Sequence, residues 1–327
     1  MQTIETLLNQ ARGRTVLVLG DLMLDEWIIG AASRISPEAP VPVVRFTQRR
    51  TAPGGAANVV MNLLRLGAQV RVCGVIGDDE AGADLCRELQ IAGAESSGLV
   101  ADATRPTTLK TRIVAQAQQM VRVDRESDEP LSRDIVDTIS ARLQTLLDGV
   151  DALCLSDYDK GLASSGIMQT ALQEAKMRGV LVTGGPKPHN LHQFESADFL
   201  SLNEKEAGEA ASVKIDSDEN AARAGKVLQA QSRAKALAMT RGARGVCLFE
   251  NDVAPQSVPA HAVEVFDVAG AGDTFLAAAT LALAAGAEYL QATTVGNLAA
   301  AASVRHVGVV AVTPEEVLHV AHEYDHL

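Results

Sequence analysis

The sequence predicts an α/β chain: a mostly parallel central sheet with helices on both faces, carrying a small β-rich attachment. Three observations predict it. Short apolar, β-branched runs alternate with segments of helical spacing along most of the chain, the pattern of a buried parallel sheet. Two stretches, 27–50 and 98–125, break that rhythm with consecutive strand-like runs and no helix between them. The length of 327 residues, 47% hydrophobic, suits one large α/β domain with an appendage or two domains.

Residues 15–19 (Thr-Val-Leu-Val-Leu) read as a buried strand that delivers Asp21, past Gly20, at its C-terminal edge. Residues 58–66 keep helical spacing and close on Gly67. A strand over 70–76 and a helix over 80–90 follow. After Pro130 the alternation resumes with helix 133–147, strand 152–155, helix 164–177, and strands 180–182 and 199–202. Residues 236–267 alternate apolar and polar around Thr240-Arg-Gly-Ala-Arg-Gly245, a glycine turn between two strands. An apolar helix, 275–285, follows Asp273, and helices 287–304 and 314–324 come last. His319, His322 and His326 stand near helical spacing without an added cysteine or carboxylate, so they read as a solvated tail rather than a metal site. The two exceptional stretches should pair with each other better than with the main sheet. They are expected to form a discontinuous β-lid over one edge of the large domain; a pair of long surface hairpins is the plainer alternative.

Composition removes several classes of function. A formal charge of −12 argues against nucleic-acid or membrane-surface binding, so any phosphate site must be built locally. The four cysteines, Cys73, Cys86, Cys154 and Cys247, are far apart in apolar segments and read as buried thiols of a reducing cytosol. The start, Met1-Gln-Thr-Ile-Glu5, is polar and acidic, and the longest apolar run is too short to span a bilayer. A cytoplasmic protein is expected. The chain has no Gly-x-x-x-x-Gly-Lys-Ser/Thr loop, no Gly-x-Gly-x-x-Gly after the first strand and no Gly-x-Ser-x-Gly elbow.

The segment Asp267-Val-Ala-Gly-Ala-Gly-Asp273-Thr274 concentrates the chemistry. Gly270 and Gly272 let backbone N–H groups crowd around an anion, and the helix starting there adds its positive dipole end. Asp273, in the first turn, is favoured as a carboxylate and could take a proton from an attacking hydroxyl. A capped core helix after a glycine turn is the plain alternative. Ligands of open parallel sheets collect beyond the carboxyl ends of the strands, where Asp21, Asp25, Gly54-Gly55-Ala-Ala-Asn58, Asp157, Lys187, Asn203 to Glu206 and Asp273 all fall. Asp21 and Asp25 suit sugar hydroxyls, although strand-end aspartates as often form turns. Gly54-Gly55 permits a close backbone approach and Asn58 offers a donor and an acceptor; a helix-start turn fits equally. Asn203 and Glu206 carry oxygens suited to a hydrated Mg²⁺, with a charged helix start as the alternative. Lys110 and Arg112 share a strand face and suit a substrate phosphate; charged edge strands are as simple an account.

Taken together, Gly54-Gly55-Ala-Ala-Asn58 and Asp267 to Thr274 resemble the two signatures of the ribokinase-like (PfkB) carbohydrate kinases, over nearly the whole chain. Ser33-Arg-Ile-Ser-Pro-Glu-Ala-Pro-Val-Pro42, Thr108-Leu-Lys-Thr-Arg112, Gln118-Gln119 and Ser156-Asp-Tyr-Asp-Lys-Gly161 are similar to the D-glycero-β-D-manno-heptose-7-phosphate kinases of lipopolysaccharide-core biosynthesis. The resemblance implies a single ribokinase-like domain and ATP- and Mg²⁺-dependent phosphorylation of the sugar's anomeric hydroxyl. It places the base on Asp273, the anion hole on Gly270, Ala271 and Gly272, and metal and ATP contacts on Asn203 and Glu206. Glu204, Lys205, Thr240, Gly242, Gly245 and Asn297 are assigned to the nucleotide side. The β-lid is expected to pair two copies of the chain. A catalytically silent sugar-binding regulator would be expected to lose the base or the anion-hole glycines, and both are kept. Another sugar or nucleoside kinase of the same fold is the nearer alternative.

Two departures from the family pattern stand out. Relatives usually read Asp-Pro-Lys-Gly where this chain has Gly184-Gly185-Pro186-Lys187-Pro188, so the lysine is kept and the aspartate is not. Many relatives continue into a nucleotidyltransferase domain; here the sequence stops at Leu327, and a separate adenylyltransferase is expected.

Overall fold

Strand β1 (Thr15–Gly20) shows how the sheet is built. Val16 and Val18 point into the core on one face of the sheet, Leu17 and Leu19 into the core on the other. The period of two therefore buries both sides of one strand. The computed structural model describes residues 3–116, 118–261 and 263–324; His326 lies outside them.

The chain begins with α1 (Ile4–Ala11) and continues after β1 through β2 (Leu22–Ile35), β3 (Pro42–Gly55), α2 (Ala56–Arg65), β4 (Gln69–Gly77), α3 (Glu80–Ala92), β5 (Glu95–Asp102), β6 (Thr108–Ala115) and β7 (Gln118–Arg125). Then come α4 (Arg133–Leu146), β8 (Ala152–Ser156), α5 (Ile167–Met177), β9 (Leu181–Gly185), β10 (Phe199–Asn203), α6 (Glu204–Ala210) and α7 (Asp218–Ser232). The last elements are β11 (Ala236–Thr240), β12 (Val246–Glu250), β13 (Gln256–Val258), α8 (Ala271–Ala284), α9 (Tyr289–Ser303) and α10 (Pro314–Tyr324). The large sheet has the order β13-β12-β11-β10-β9-β8-β1-β4-β5. Its strands are parallel from β11 to β5, and β12 and β13 add an antiparallel edge.

The two faces are built from different side chains. Ala152, Cys154, Ala236 and Ala238 face the core that contains α2, α8 and α9, whereas Leu153, Leu155, Leu237 and Met239 face the core under α4, α5 and α7. Small residues on the first face let α8, buried from Thr274 to Ala282, lie close against the sheet. Gly296 of α9 completes that packing, because a Cβ there would come 2.9 Å from the Phe275 ring.

The small sheet has the order β3-β2-β6-β7, with β2 and β6 parallel and the two outer pairs antiparallel. The two exceptional stretches thus do pair with each other. Their boundary differs from the expected one: residues up to Asp102 belong to β5 on the edge of the large sheet, where Gly98 lies so close to β4 that a Cβ would meet Val72 O at 2.4 Å. The small sheet joins the body where β1 passes into β2 through Asp21 and where β3 runs into α2. The Ala56 N–H donates to Asp21 O at 3.0 Å and ties these two junctions together. Helix 164–177 begins later than its spacing predicts, at Ile167, after Gly166 in a left-handed conformation (φ 79°). Helices α1 and α7 were not anticipated. Each starts on a hydroxyl cap, Thr3 accepting from the Thr6 N–H and Ser217 from the Asn220 N–H.

Candidate active site

Five parallel strands, β1, β8, β9, β10 and β11, end at one edge of the large sheet, and α8 begins there. A cleft of about 190 Å³ opens at this edge, lined by Asp157, Tyr158, Lys187, Glu206, Thr240 and Asp273 among others. This is the position open α/β sheets reserve for ligands.

Asp273 occupies the first turn of α8 and is partly exposed to the cleft. Its Oδ2 accepts from Asn58 Nδ2 at 2.8 Å and its Oδ1 from the Tyr158 hydroxyl at 2.5 Å. Burial pushes its carboxyl up to about 6; the Tyr158 and Asn58 hydrogen bonds and the Lys187 charge hold it down, and Asp25 pushes it further up. The turn before it is held by Asp267, whose carboxylate accepts from the Ala269 and Gly308 N–H groups, each at 3.0 Å. Gly270 takes a left-handed conformation (φ 78°), and a Cβ there would meet Asn58 Nδ2 at 2.8 Å. The first helical bond runs from the Thr274 N–H to Gly270 O at 3.0 Å, while the Ala271 N–H turns back to Val268 O at 3.3 Å. Gly272 and Asp273 therefore present the N–H groups at the helix's positive end, with open space at Gly272 where a Cβ would be. Ala271, expected in the anion hole, directs its N–H into the turn.

On the proposed sugar side, Asp25 and Asn58 gather near Asp273. Asp25 is buried and accepts from Arg112 Nη1 at 2.6 Å, with the Arg112 guanidinium over the Trp27 ring at 5.2 Å. Gly54 has to be glycine here, since a Cβ would lie 2.4 Å from Asp25 Oδ2. Gly55 has positive φ (57°) and lies tight against Asp21 O. Close packing of the chain on itself therefore accounts for both glycines. Asp21, 3% exposed, accepts from the backbone N–H groups of Tyr158, Lys160 and Leu162, at 2.8, 3.2 and 3.4 Å. Burial pushes its carboxyl up to about 6. Asp157 likewise binds its own loop, accepting from the Asp159 and Lys187 N–H groups at 2.8 Å each. Both aspartates shape the 157–162 loop. Lys110 and Arg112 do not converge on one anion: Arg112 turns to Asp25, and Lys110 lies 3.5 Å from Asp124 and 3.4 Å from Glu126.

On the proposed nucleotide side, Asn203 and Glu206 form a reciprocal capping box at the start of α6. Glu206 also accepts from Lys187 Nζ at 2.6 Å, which places the retained lysine in the cleft. Glu204 pairs with Arg244, and Lys205 lines a separate open hollow with Gly208 and Lys214. Thr240 reaches the cleft. Gly242 and Gly245 shape the β11–β12 turn, where a Cβ on Gly245 would meet Val258 O at 2.1 Å. Asn297 donates to Pro259 O at 2.8 Å and is buried. These last contacts hold the nucleotide-side loops to one another. At the departure from the family pattern, Gly185 leaves the cleft wall without a side chain. Tyr158 was not singled out from the sequence: the Ser156 to Gly161 run marked its loop, but nothing local shows that its hydroxyl reaches a residue of a distant helix.

Comparison with known proteins fits this geometry. The pfkB family carbohydrate kinase profile matches residues 14–316, and the chain belongs to that family. It is a carbohydrate kinase, a phosphotransferase with an alcohol group as acceptor. The chain is 40% identical over 318 residues to the Bifunctional protein HldE of Pelobacter propionicus, covering 97% of this chain and 65% of that one. It is 41% identical over 323 residues to the Bifunctional protein HldE of Caulobacter sp. (strain K31), covering 98% and 65%. The chain thus spans about two thirds of the length of these relatives. Among solved structures, phosphofructokinase-2 from Escherichia coli in complex with potassium superimposes with a TM-score of 0.79 at 17% identity, covering 95% of this chain and 99% of that one. Arabidopsis thaliana ribokinase complexed with ribose and ATP gives a TM-score of 0.72 at 18% identity, covering 94% and 98%. The fold is ribokinase-like. Among the described residues no helix is long and apolar enough to cross a membrane.

Proposed function

We propose that this chain transfers the γ-phosphoryl group of ATP to the anomeric hydroxyl of D-glycero-β-D-manno-heptose 7-phosphate, giving the 1,7-bisphosphate for lipopolysaccharide-core synthesis. The observation that carries the reading is Asp273, a partly exposed carboxylate on the positive end of α8, beside the Gly272 N–H and facing the cleft. The choice of heptose rests on the motifs at 33–42, 108–112 and 156–161 and on the similarity to proteins named HldE. In the reaction the anomeric oxygen bonds to the γ-phosphorus, the bond from that phosphorus to the β,γ-bridging oxygen breaks, ADP leaves and Asp273 takes the hydroxyl proton. Little covalent chemistry is asked of the protein, so positioning and charge stabilisation dominate.

Asn203 Oδ1 and both Glu206 oxygens already accept hydrogen bonds, from the Glu206 N–H, the Asn203 N–H and Lys187 Nζ. That donor set suits a hydrated Mg²⁺ held through its waters rather than direct ligation by both side chains. When bound, the ion would neutralise charge on the phosphate oxygens. The reading further includes a cytoplasmic kinase unit, paired through its small sheet, whose product passes to an adenylyltransferase. ADP release measured over heptose 7-phosphate, ribose, fructose 6-phosphate and adenosine tests it, with Asp273→Asn as control. The heptose should give the highest kcat/KM; preference for any other acceptor would overturn the substrate assignment.

A further inference from the structure

We propose that Tyr158 is a positioning residue for Asp273, its phenol and the Asn58 amide holding the two carboxylate oxygens so that the free lone pairs face the acceptor hydroxyl. The inference rests on the reading of Asp273 as the base. Each Asp273 oxygen has one donor from a different element, Asn58 from α2 and Tyr158 from the loop after β8. Both donors are themselves fixed. Asn58 Oδ1 accepts from Asn62 Nδ2 at 3.2 Å, and the Tyr158 N–H donates to Asp21 Oδ2 at 2.8 Å. Lys187 Nζ lies 5.1 Å from the centre of the Tyr158 ring and covers it. The tyrosine is thus anchored at its backbone, its ring and its hydroxyl.

The phenol stays a donor across the working pH range, because burial and the Asp273 charge push its ionisation well above the ordinary value. The groups facing Asp273 are Lys187 from the β9 loop, Asp25 from β2 and Cys154 from β8, with Glu206 of α6 acting on Tyr158. Cys154 is a neutral thiol, pushed up to about 11 mainly by burial. A hydroxyl donating to a carboxylate favours its ionised form, so removing it should raise the pH at which the base becomes active.

Tyr158→Phe keeps the ring under Lys187 and removes only the donor. The expected result is an acid limb of the kcat/KM profile moved up by about one pH unit, with an unchanged KM for ATP and recovery towards wild-type rate above that limb. In substrate-free protein the Asp273 carboxyl, followed by ¹³C NMR and assigned with Asp273→Asn, should titrate higher by a similar amount. Coincident acid limbs and an unmoved titration would overturn the role of Tyr158 while leaving the base reading intact. A moved titration together with wild-type turnover in Asp273→Asn would overturn the base reading and with it the positioning role.

Discussion

Asp21 and Asp273 are both held up to about 6 by burial, yet their surroundings give them different work. Asp273 faces the cleft with oxygens that can accept a proton. Asp273→Asn keeps the size and the Asn58 side of the contact but removes the base, so kcat should fall by about 10²–10⁴. ATP affinity, measured by calorimetry, should stay near wild type; a wild-type-like kcat would sink the assignment. Asp21 is closed off beneath the 157–162 loop, and its raised carboxyl has a consequence for stability. Between about pH 4 and 6 the folded form binds a proton that the unfolded chain has released, so its contribution is full at low pH and is lost as pH rises through 6. A displacement from 3.8 to about 6 corresponds to about 3 kcal/mol. Urea denaturation should therefore show wild type more stable relative to Asp21→Asn at pH 4.5 than at pH 7.5. Glu26 and Asp79, held below their usual range despite burial chiefly by hydrogen bonds from Thr111 and Thr107, work in the opposite sense. The comparison with the single variant isolates Asp21 from them.

At the scale of elements, α8 couples the core to the chemistry. Its alanine-rich body lies on the small-residue face of the sheet, and its first turn carries Asp273. Gly270→Ala would place a Cβ 2.8 Å from Asn58 Nδ2 in a left-handed backbone, displacing the amide that holds Asp273. It should lower stability by about 1–2 kcal/mol and kcat by at least about tenfold, read by thermal unfolding and steady-state rates. Unchanged kinetics would mean the turn is architecture alone. Much of this element was legible in the sequence, because Gly270, Asp273 and the apolar run after them are contiguous and each carries a local physical signature. The unbroken apolar run of β1 was legible for the same reason, and the pairing of the two exceptional stretches followed from the absence of a helix in either. What escaped was the direction of polar tips at long range. Asp21 and Asp157 stand at strand ends as expected, but their oxygens turn to backbone N–H groups of a loop the pattern cannot place. Asn297 reaches Pro259, and Tyr158 reaches Asp273 across 115 residues of chain. Helix α7 is hard to read from the sequence because its buried side is built from small residues, Ala221, Ala224 and Gly225, with Leu228 as its one large buried apolar side chain, which leaves a weak apolar stripe.

For the whole molecule, the small sheet is the part least used by its own fold. Among the described residues its strands β3 and β7 are the two edges, and β7 is exposed along its length. Phe46 on β3 and Val121 and Val123 on β7 are about half exposed, and Ile35 and Val41 flank the turn between β2 and β3. An isolated sheet with apolar side chains in water and open edges favours association. Arg45 and Arg50, exposed on β3, oppose indefinite strand addition at that edge, so a closed pair is the expected outcome rather than a fibre. Pairing there would also stiffen β2 and β6, which carry Asp25 and Arg112 beside the base. Sedimentation of wild type should therefore give a dimer, and Phe46→Glu combined with Val121→Glu a monomer. Because the large-sheet cleft lies within one chain, that monomer should bind ATP normally and lose chiefly in KM for the sugar, through looser placement of Asp25. A wild-type monomer, or a dimer that survives both substitutions, would assign the exposed face to something other than a second copy.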